Sequence, residues 1–386
     1  MQIFKKPDFK FMKFKFVAFT VSGILIIISI INITMGKGLN LGIDFAGGTL
    51  IRLMFREQVP ISEVRESLSA AGLEKSRIQE MGRTKREYII RTMQATEGEE
   101  EEEELEAHEI MGRRIIEALR RPEGTAAIEQ GKKDLNGIDE DEITLVLESS
   151  FPEEARTIAR KLLAFRIDKG IIQDYEQLER ETDIPAEAIT LLKDKTFLGS
   201  LAVLSKETVG PQVGHDLRRR STQAVIWALI GMLIYIGIRF KLAYGASAIL
   251  TLAHDVIITL GIFSLSGREI NLPVIAAVLT IVGYSLNDTI VIFDRVRDNL
   301  RSLRKHEIQD ILDVSINQTL SRTVITSGTT LLTVLALFLF GGEVINDFAF
   351  TMMIGVVLGT YSSIYQSCPL LYYWNKVFKT KKGLRK

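Results

Sequence analysis

The chain has 386 residues, enough for two or three domains, with 48 basic and 48 acidic residues and a formal net charge of zero. A neutral chain with no zinc-ligand spacing, no aromatic-interleaved basic patch and no recognition helix gives no grounds for nucleic acid as a partner. Its single cysteine, Cys368, excludes an intrachain disulfide, and the 46% of hydrophobic residues are gathered into blocks with the charge between them.

Residues 1–15 carry Lys5, Lys6, Lys10, Lys13 and Lys15 ahead of an apolar run over 16–35. That run is too long for a signal-peptide core and no A-x-A-like cleavage site follows it. It predicts an uncleaved first membrane span with a cytoplasmic basic end.

From 36 to 220 nothing is apolar enough to span, and the periodicities become those of a soluble α+β domain, extracytoplasmic if the basic N-terminal end of the first span is cytoplasmic. Strands are predicted over 48–55, 77–81, 87–92 and 201–209, and helices over 61–71, started by a Ser62 cap, and 105–121. The order βαββαβ is the ferredoxin-like split motif. A long insertion at about 122–199 interrupts it, with a strand predicted over 143–147 and helices over 153–165, 175–181 and 186–194. The acidic run over 97–109 reads as a solvated loop or frayed helix start.

Five further spans follow, over 224–238, 242–265, 271–293, 323–340 and 344–373, the last extending beyond the bilayer. With the first they make six. The basic loop 294–321, Arg239 with Lys241, and the basic tail 374–386 then share the side of the N-terminus, as the positive-inside rule expects of cytoplasmic segments. Arg218, Arg219 and Arg220 lie on the opposite side, directly after the large domain.

Polar residues inside apolar spans are expensive and mark function. Asp288, preceded by Asn287, lies in the fourth span about 6–9 Å by helix rise from its cytoplasmic end, and Arg322 enters the fifth span from that side. The two are predicted to meet as an ion pair. The hydroxyls of Tyr284, Ser285, Thr323, Thr326, Ser327, Thr329 and Thr330 lie around the same depth and suit a hydrated proton path. In the third span His254 and Asp255 point about 100° apart on the helix, so they need not touch. Gly328 and the pair Gly355 and Gly359 fit close helix packing. The segment Gly42-Ile43-Asp44-Phe45-Ala46-Gly47-Gly48 lacks the lysine and hydroxyl of a phosphate-binding loop, and nothing implies a cofactor, a metal or an enzyme.

That glycine-rich segment, Val209-Gly210-Pro211-Gln212-Val213-Gly214 before the second span, and the segment from Gly283 through Arg295 in the fourth, with Gly283-Tyr284-Ser285-Leu286-Asn287-Asp288 at its start, resemble the three signature blocks of the SecF family of bacterial protein-export proteins. The resemblance covers roughly 16–92 and 201–373. It implies an RND-like membrane fold in the bacterial inner membrane with both termini cytoplasmic, a SecD partner, association with the SecYEG channel and YajC, and an unfolded polypeptide as client. It also implies proton-driven cycling in which Asp288, in the motif with Asn287, and Arg322 carry the coupling; His254 and Asp255 join the proton-coupling candidates from their position inside the third span. The family's outer domain is usually shorter, so the insertion at 122–199 is a departure from its pattern. Two other readings share these features: a half of an RND-type small-molecule exporter, which would carry two large outer domains, and a scaffold subunit whose polar residues only glue helices.

Overall fold

The computed structural model describes residues 7–36, 38–81, 85–92, 101–240 and 242–377, the side chains of 101–109 and 343–344 excepted. The chain divides into two compact units, one formed by Met1–Gly42 with Leu217–Lys386 and the other by Ile43–Asp216.

The membrane unit starts with a 3-10 turn, Phe11–Phe14, that buries Phe11 and Met12 and leads into α1 (Lys15–Met35). No charged residue follows Lys15 in that helix, and it ends where Gly36 turns its N–H back onto Ile31 and Asn32. The strand β1 (Asn40–Leu41) comes next.

The second unit holds the sheet. After the short α2 (Ile43–Ala46), β2 (Gly48–Phe55), α3 (Ile61–Ala70), β3 (Arg77–Met81), β4 (Glu87–Thr92) and α4 (Glu101–Leu119) follow the predicted order. Then come α5 (Pro122–Glu129), β5 (Lys133–Asp134), α6 (Glu140–Glu148), α7 (Ala155–Lys169), α8 (Tyr175–Glu181), α9 (Ala186–Lys195), β6 (Thr196–Phe197) and the closing strand β7 (Leu201–Val209). The sheet order is β3-β4-β2-β7, antiparallel throughout, which is the ferredoxin-like arrangement with the first strand between the third and the last. Alternation in β2 turns Ile51, Leu53 and Phe55 onto Val64 and Leu68 of α3 and Ile115 and Leu119 of α4. Helix α3 starts at Ile61 behind Pro60, with no side-chain cap from Ser62: the proline presets the backbone turn that the serine was expected to make. Of the acidic run, 97–100 lie outside the described residues and the rest begins α4.

The insertion is a lobe with its own core. The strand predicted over 143–147 is instead the middle of α6. Asp139 caps that helix by accepting from the Glu142 N–H (2.9 Å), three acids occupy its first turn, and Ile143 and Leu147, four apart, are both buried. The β-branched, apolar local composition concealed a helical i, i+4 pair. Helices α6 with α7 and α8 with α9 form two pairs, each joined by a turn with an apolar residue before proline, Phe151-Pro152 and Ile184-Pro185.

A buried polar clasp fixes the base of this lobe. The Asn136 side chain donates to the Ile172 carbonyl (3.0 Å) and accepts from the Ile172 N–H (3.0 Å). The Asp134 carboxylate accepts from the N–H groups of Asn136 and Gly199, and Arg166 donates to the carbonyls of Leu135 and Ile138. Strands β5 and β6 pair in parallel just beside them.

The chain continues through α10 (Pro211–Arg239), which begins well before the predicted span, α11 (Leu242–Leu265), the short strand β8 (Glu269–Ile270), α12 (Leu272–Ser302), α13 (Ile308–Phe340), α14 (Gly342–Tyr365) and α15 (Ser367–Val377). Among the described residues six helices are long and apolar enough to cross a membrane; α11, α12 and α14 form the interior of the unit, and α1, α10 and α13 are its exposed rim. Two expectations change here. The predicted loop 294–321 is mostly helix, because Val296, Leu300, Ile311, Leu312 and Ile316 bury one face while Asn299 bonds Ser315 and Gln318 across the hairpin. The predicted last span is interrupted at Gln366, since Pro369 has no N–H for the carbonyl of Tyr365 and its ring crowds that turn.

Burial raises the carboxyl of Asp134 above its ordinary value, against the opposing pull of the two N–H bonds and of Arg120 and Arg166. The folded lobe therefore holds this proton more tightly than the unfolded chain. The contribution to stability is full below the ordinary carboxylate value and is lost as pH rises through the raised folded value. Asp134→Asn keeps an acceptor for both N–H groups and cannot ionise, so the native-minus-variant stability difference is expected to decline across that window and stay flat above it. Proteolysis of the lobe as a function of denaturant at several pH values measures this; a difference that does not change with pH contradicts it.

Candidate functional site

The fourth span places Asp288 inside the membrane unit. Its side chain is 4% exposed, and Oδ2 accepts from Ser327 Oγ of α13 at 3.4 Å, a long bond. Ser327 in turn accepts from Thr360 of α14 at 2.7 Å. One turn back on α12, the Tyr284 hydroxyl is buried with no hydrogen bond of good geometry among the described residues. Asn287 is exposed, on another side of the helix.

Arg322 does not pair with Asp288: among the described residues no ion pair within 4.0 Å joins them, and the Arg322 side chain is exposed in a cleft with Asp294, Arg295, Asp298 and Gln318. Helical geometry explains it. Ser327 is the α13 residue that faces Asp288, and five positions at ~100° each turn Arg322 about 140° away and ~7.5 Å along the axis. Most of the predicted polar path is likewise turned inward on its own helix, with the hydroxyls of Thr326, Thr329 and Thr330 donating to the carbonyls of Arg322, Ile325 and Thr326.

His254 and Asp255 do touch. His254 Nδ1 lies 2.8 Å from Asp255 Oδ1, a contact that adjacent side chains reach by bending toward each other across the 100° between them. The second carboxylate oxygen accepts from Ser285 of α12 (2.5 Å) and Ser362 of α14 (2.7 Å). On the far side His254 Nε2 lies 2.8 Å from Ser22 Oγ of α1, which accepts from Gln366 at the break before α15 (2.7 Å). Gln366 also donates to the Ala18 carbonyl (3.0 Å). The bonds run consistently from Gln366 through Ser22 to Nε2, with the Nδ1 proton directed at Asp255. Ser22, Ser362 and Gln366 were not anticipated; an amide inside an apolar run was the signal available for Gln366.

The two acids belong to neighbouring clusters. Ser285 and Asp288 are three residues apart on α12, about 4.5 Å in helix rise, and the α14 members of the two clusters, Ser362 on Asp255 and Thr360 on Ser327, are two apart. Glycines let these helices meet: a Cβ at Gly355 would collide with the Ile281 side chain, and one at Gly359 would lie 3.2 Å from Ser285 Cβ. Gly283 and Gly328 face open space, so they do not serve that packing.

The other two motif blocks are backbone joints. Gly42 donates its N–H to the Ile270 carbonyl at 2.8 Å, continuing the parallel pairing of β1 with β8. In the second unit Gly47 has φ +71°, and a Cβ there would sit 2.8 Å from Pro211 Cα; a Cβ on Gly214 would lie 2.9 Å from the Gly47 nitrogen. Gly48 also has positive φ, Gly210 accepts the Gly214 N–H at 2.9 Å, and Asp44 is half-buried in α2. The first and second blocks thus meet where only glycine fits.

Residues 190–377 match the family described as protein export membrane protein SecD/SecF, C-terminal, and residues 33–59 match the SecD/SecF GG motif. The chain is similar to proteins named protein translocase subunit SecF: 37% identical over 388 residues to that of Koribacter versatilis, covering 96% of this chain and 93% of the other. For that of Escherichia coli O157:H7 the identity is 34%, covering 94% and 86%. Among solved structures it is similar to SecDF, a translocon-associated membrane protein from Thermus thermophilus, with a TM-score of 0.65 and 30% identity over 96% of this chain. A SecDF structure in a super-membrane-facing form gives a TM-score of 0.55 at 30% identity. The chain spans 39% and 41% of those two SecDF chains.

Removing the Asp255 acceptor would orphan the Ser285 hydroxyl and the imidazole Nδ1 at about 1–3 kcal/mol per buried group, and leave Ser362 only its 3.2 Å bond to the Gly359 carbonyl. Asp255→Leu is therefore expected to lower the thermal unfolding temperature of the purified chain markedly, while Asp255→Asn, which keeps one acceptor oxygen, lowers it less. Equal effects would mean that the network adds nothing beyond side-chain volume.

Proposed function

The chain belongs to the SecF family of protein translocase subunits, and from that premise we propose that it couples the proton-motive force to the late steps of protein export, with Asp288 as the group that takes up and releases the proton. The observation that carries this reading is the contrast between two buried acids. Asp255 is held by His254, Ser285 and Ser362, whereas among the described residues Asp288 has one donor, at 3.4 Å. A carboxylate so weakly held can change its protonation without dismantling the helix packing. A proton crossing the membrane potential supplies about 2.3 kcal/mol per 100 mV.

In this reading Arg322 is the partner of the deprotonated acid in another state of the cycle. It reaches Asp288 when α13 turns or slides against α12, and its exposed position beside Asp294 and Asp298 is the disengaged one. His254 and Asp255 hold the neighbouring level fixed, and Asn287, on the outer side of α12, faces whatever covers that helix. The relatives solved as SecDF carry more chain than this one, so a SecD subunit supplies the remainder, and the pair works with the SecYEG channel and YajC on an unfolded polypeptide. The placement of basic residues supports the inner membrane with both termini cytoplasmic and the Ile43–Asp216 unit on the outer side.

Inner-membrane vesicles containing the chain with its SecD partner test this. Asp288→Asn, assembled to the native level, is expected to abolish the proton-gradient-dependent part of export and to leave ATP-driven insertion intact. Unchanged gradient-dependent export would make the aspartate structural and the protein a scaffold.

A further inference from the structure

Three arginines sit where the positive-inside rule does not expect them. Arg218, Arg219 and Arg220 are exposed, and among the described residues none makes an ion pair or side-chain hydrogen bond. Only one acid, Asp216, lies within 211–223 beside them. The apolar stretch that follows, 224–238, is about 15 residues or ~22 Å long, short of a ~30 Å hydrocarbon layer. From Arg220 to Arg239 the same helix rises ~28 Å, so these arginines bracket a bilayer's apolar thickness and lie at its two polar boundaries. Exposed Trp227 and Tyr235 stand about three residues inside either end of the apolar stretch, the position of interfacial aromatics. Of the large apolar side chains of α10 only Ile236 is fully buried.

We propose that Arg218, Arg219 and Arg220 bind the phosphodiester headgroups of anionic lipids in the leaflet from which α10 enters the membrane, fixing the depth of that helix. Three consecutive helical positions fan over about 200° of the helix circumference. A protein partner docks on one face and would leave part of that fan unpaired, whereas a headgroup layer surrounds the helix on all sides. Guanidinium groups match phosphate oxygens with paired N–H donors, and their long stems reach to the headgroup level while the helix stays seated. The site is independent of proton coupling at Asp288.

The test uses the full chain, alone and with its SecD partner, reconstituted in phosphatidylcholine vesicles carrying spin-labelled phosphatidylglycerol or phosphatidylcholine. The native chain is expected to select phosphatidylglycerol, and the R218Q/R219Q/R220Q variant to lose on the order of a hundredfold of its association, as three basic side chains at an anionic surface predict. The triple lysine variant is expected to keep most of the selectivity, which separates charge from folding. Should the triple glutamine variant not insert, R219Q alone is expected to lose a few-fold. Unchanged selectivity in the glutamine variants would overturn the proposal. So would a photoactivatable side chain at position 219 that crosslinks to the SecD subunit and not to lipid, since that outcome assigns the arginines to a protein interface.

Discussion

The membrane unit depends on one buried carboxylate. Asp255 is fully enclosed, and a charge or an acid in such a place persists only when its oxygens are satisfied. The groups that satisfy it come from α11 itself, α12 and α14, and His254 extends the reach to α1 and to the break before α15. One polar group thereby sets the mutual positions of four helices. The rest of the packing is arranged to permit this. Gly355 and Gly359 bring α14 against α12, and Gly261 lies so close to Ser29 that any larger side chain would separate α11 from α1. Apolar side chains fill the space between helices, but they would fill several registers about equally well. The hydrogen bonds select one.

Asp288 differs from Asp255 in how it is held, although α12 and α14 contribute to both clusters. Asp288 is linked to α13 through Ser327 and, by way of Ser327, to α14 through Thr360, so in the proposed cycle a change in its bonding would reach both helices with the Asp255 level as the pivot. In the proposed coupling, this division between a fixed polar layer and a loosely held one would give proton uptake a mechanical consequence, because a bundle that yielded equally everywhere would absorb the change locally. The N-terminal segment tethers the N-terminal end of α13, with Phe9 bonded to Asn317 and Met12 to Asp313.

Much of this architecture was legible in the sequence because its signals are periodic. The alternation in β2 and β4, the helical spacing in α3, and the apolar runs each encode one face or one length, and those suffice to fix element type and the βαββαβ order. Failures occurred where a side chain's partner lies far along the chain. Nothing near His254 announces that Ser22 and Gln366 await it, and nothing near Asp288 indicates that Ser327 faces it in place of Arg322. The 143–147 segment misled for the opposite reason: its local composition favours a strand, while the Asp139 cap and the burial of Ile143 with Leu147 against α7 and α9 settle a helix.

The position of the lobe's two ends bears on the order in which the second unit folds. Strand β2 pairs with β4 across a short separation, but its other neighbour, β7, begins about 110 residues after β4 ends, a span of loop closure costly in chain entropy. The lobe's core is assembled from its own helices, and β5 and β6 leave it side by side. Once it has folded, it short-circuits the loop to roughly 45 residues, lowering the closure cost by about 0.8 kcal/mol. What reads in the sequence as an interruption of the ferredoxin-like motif thus acts, during folding, as the element that brings the last strand back to the first.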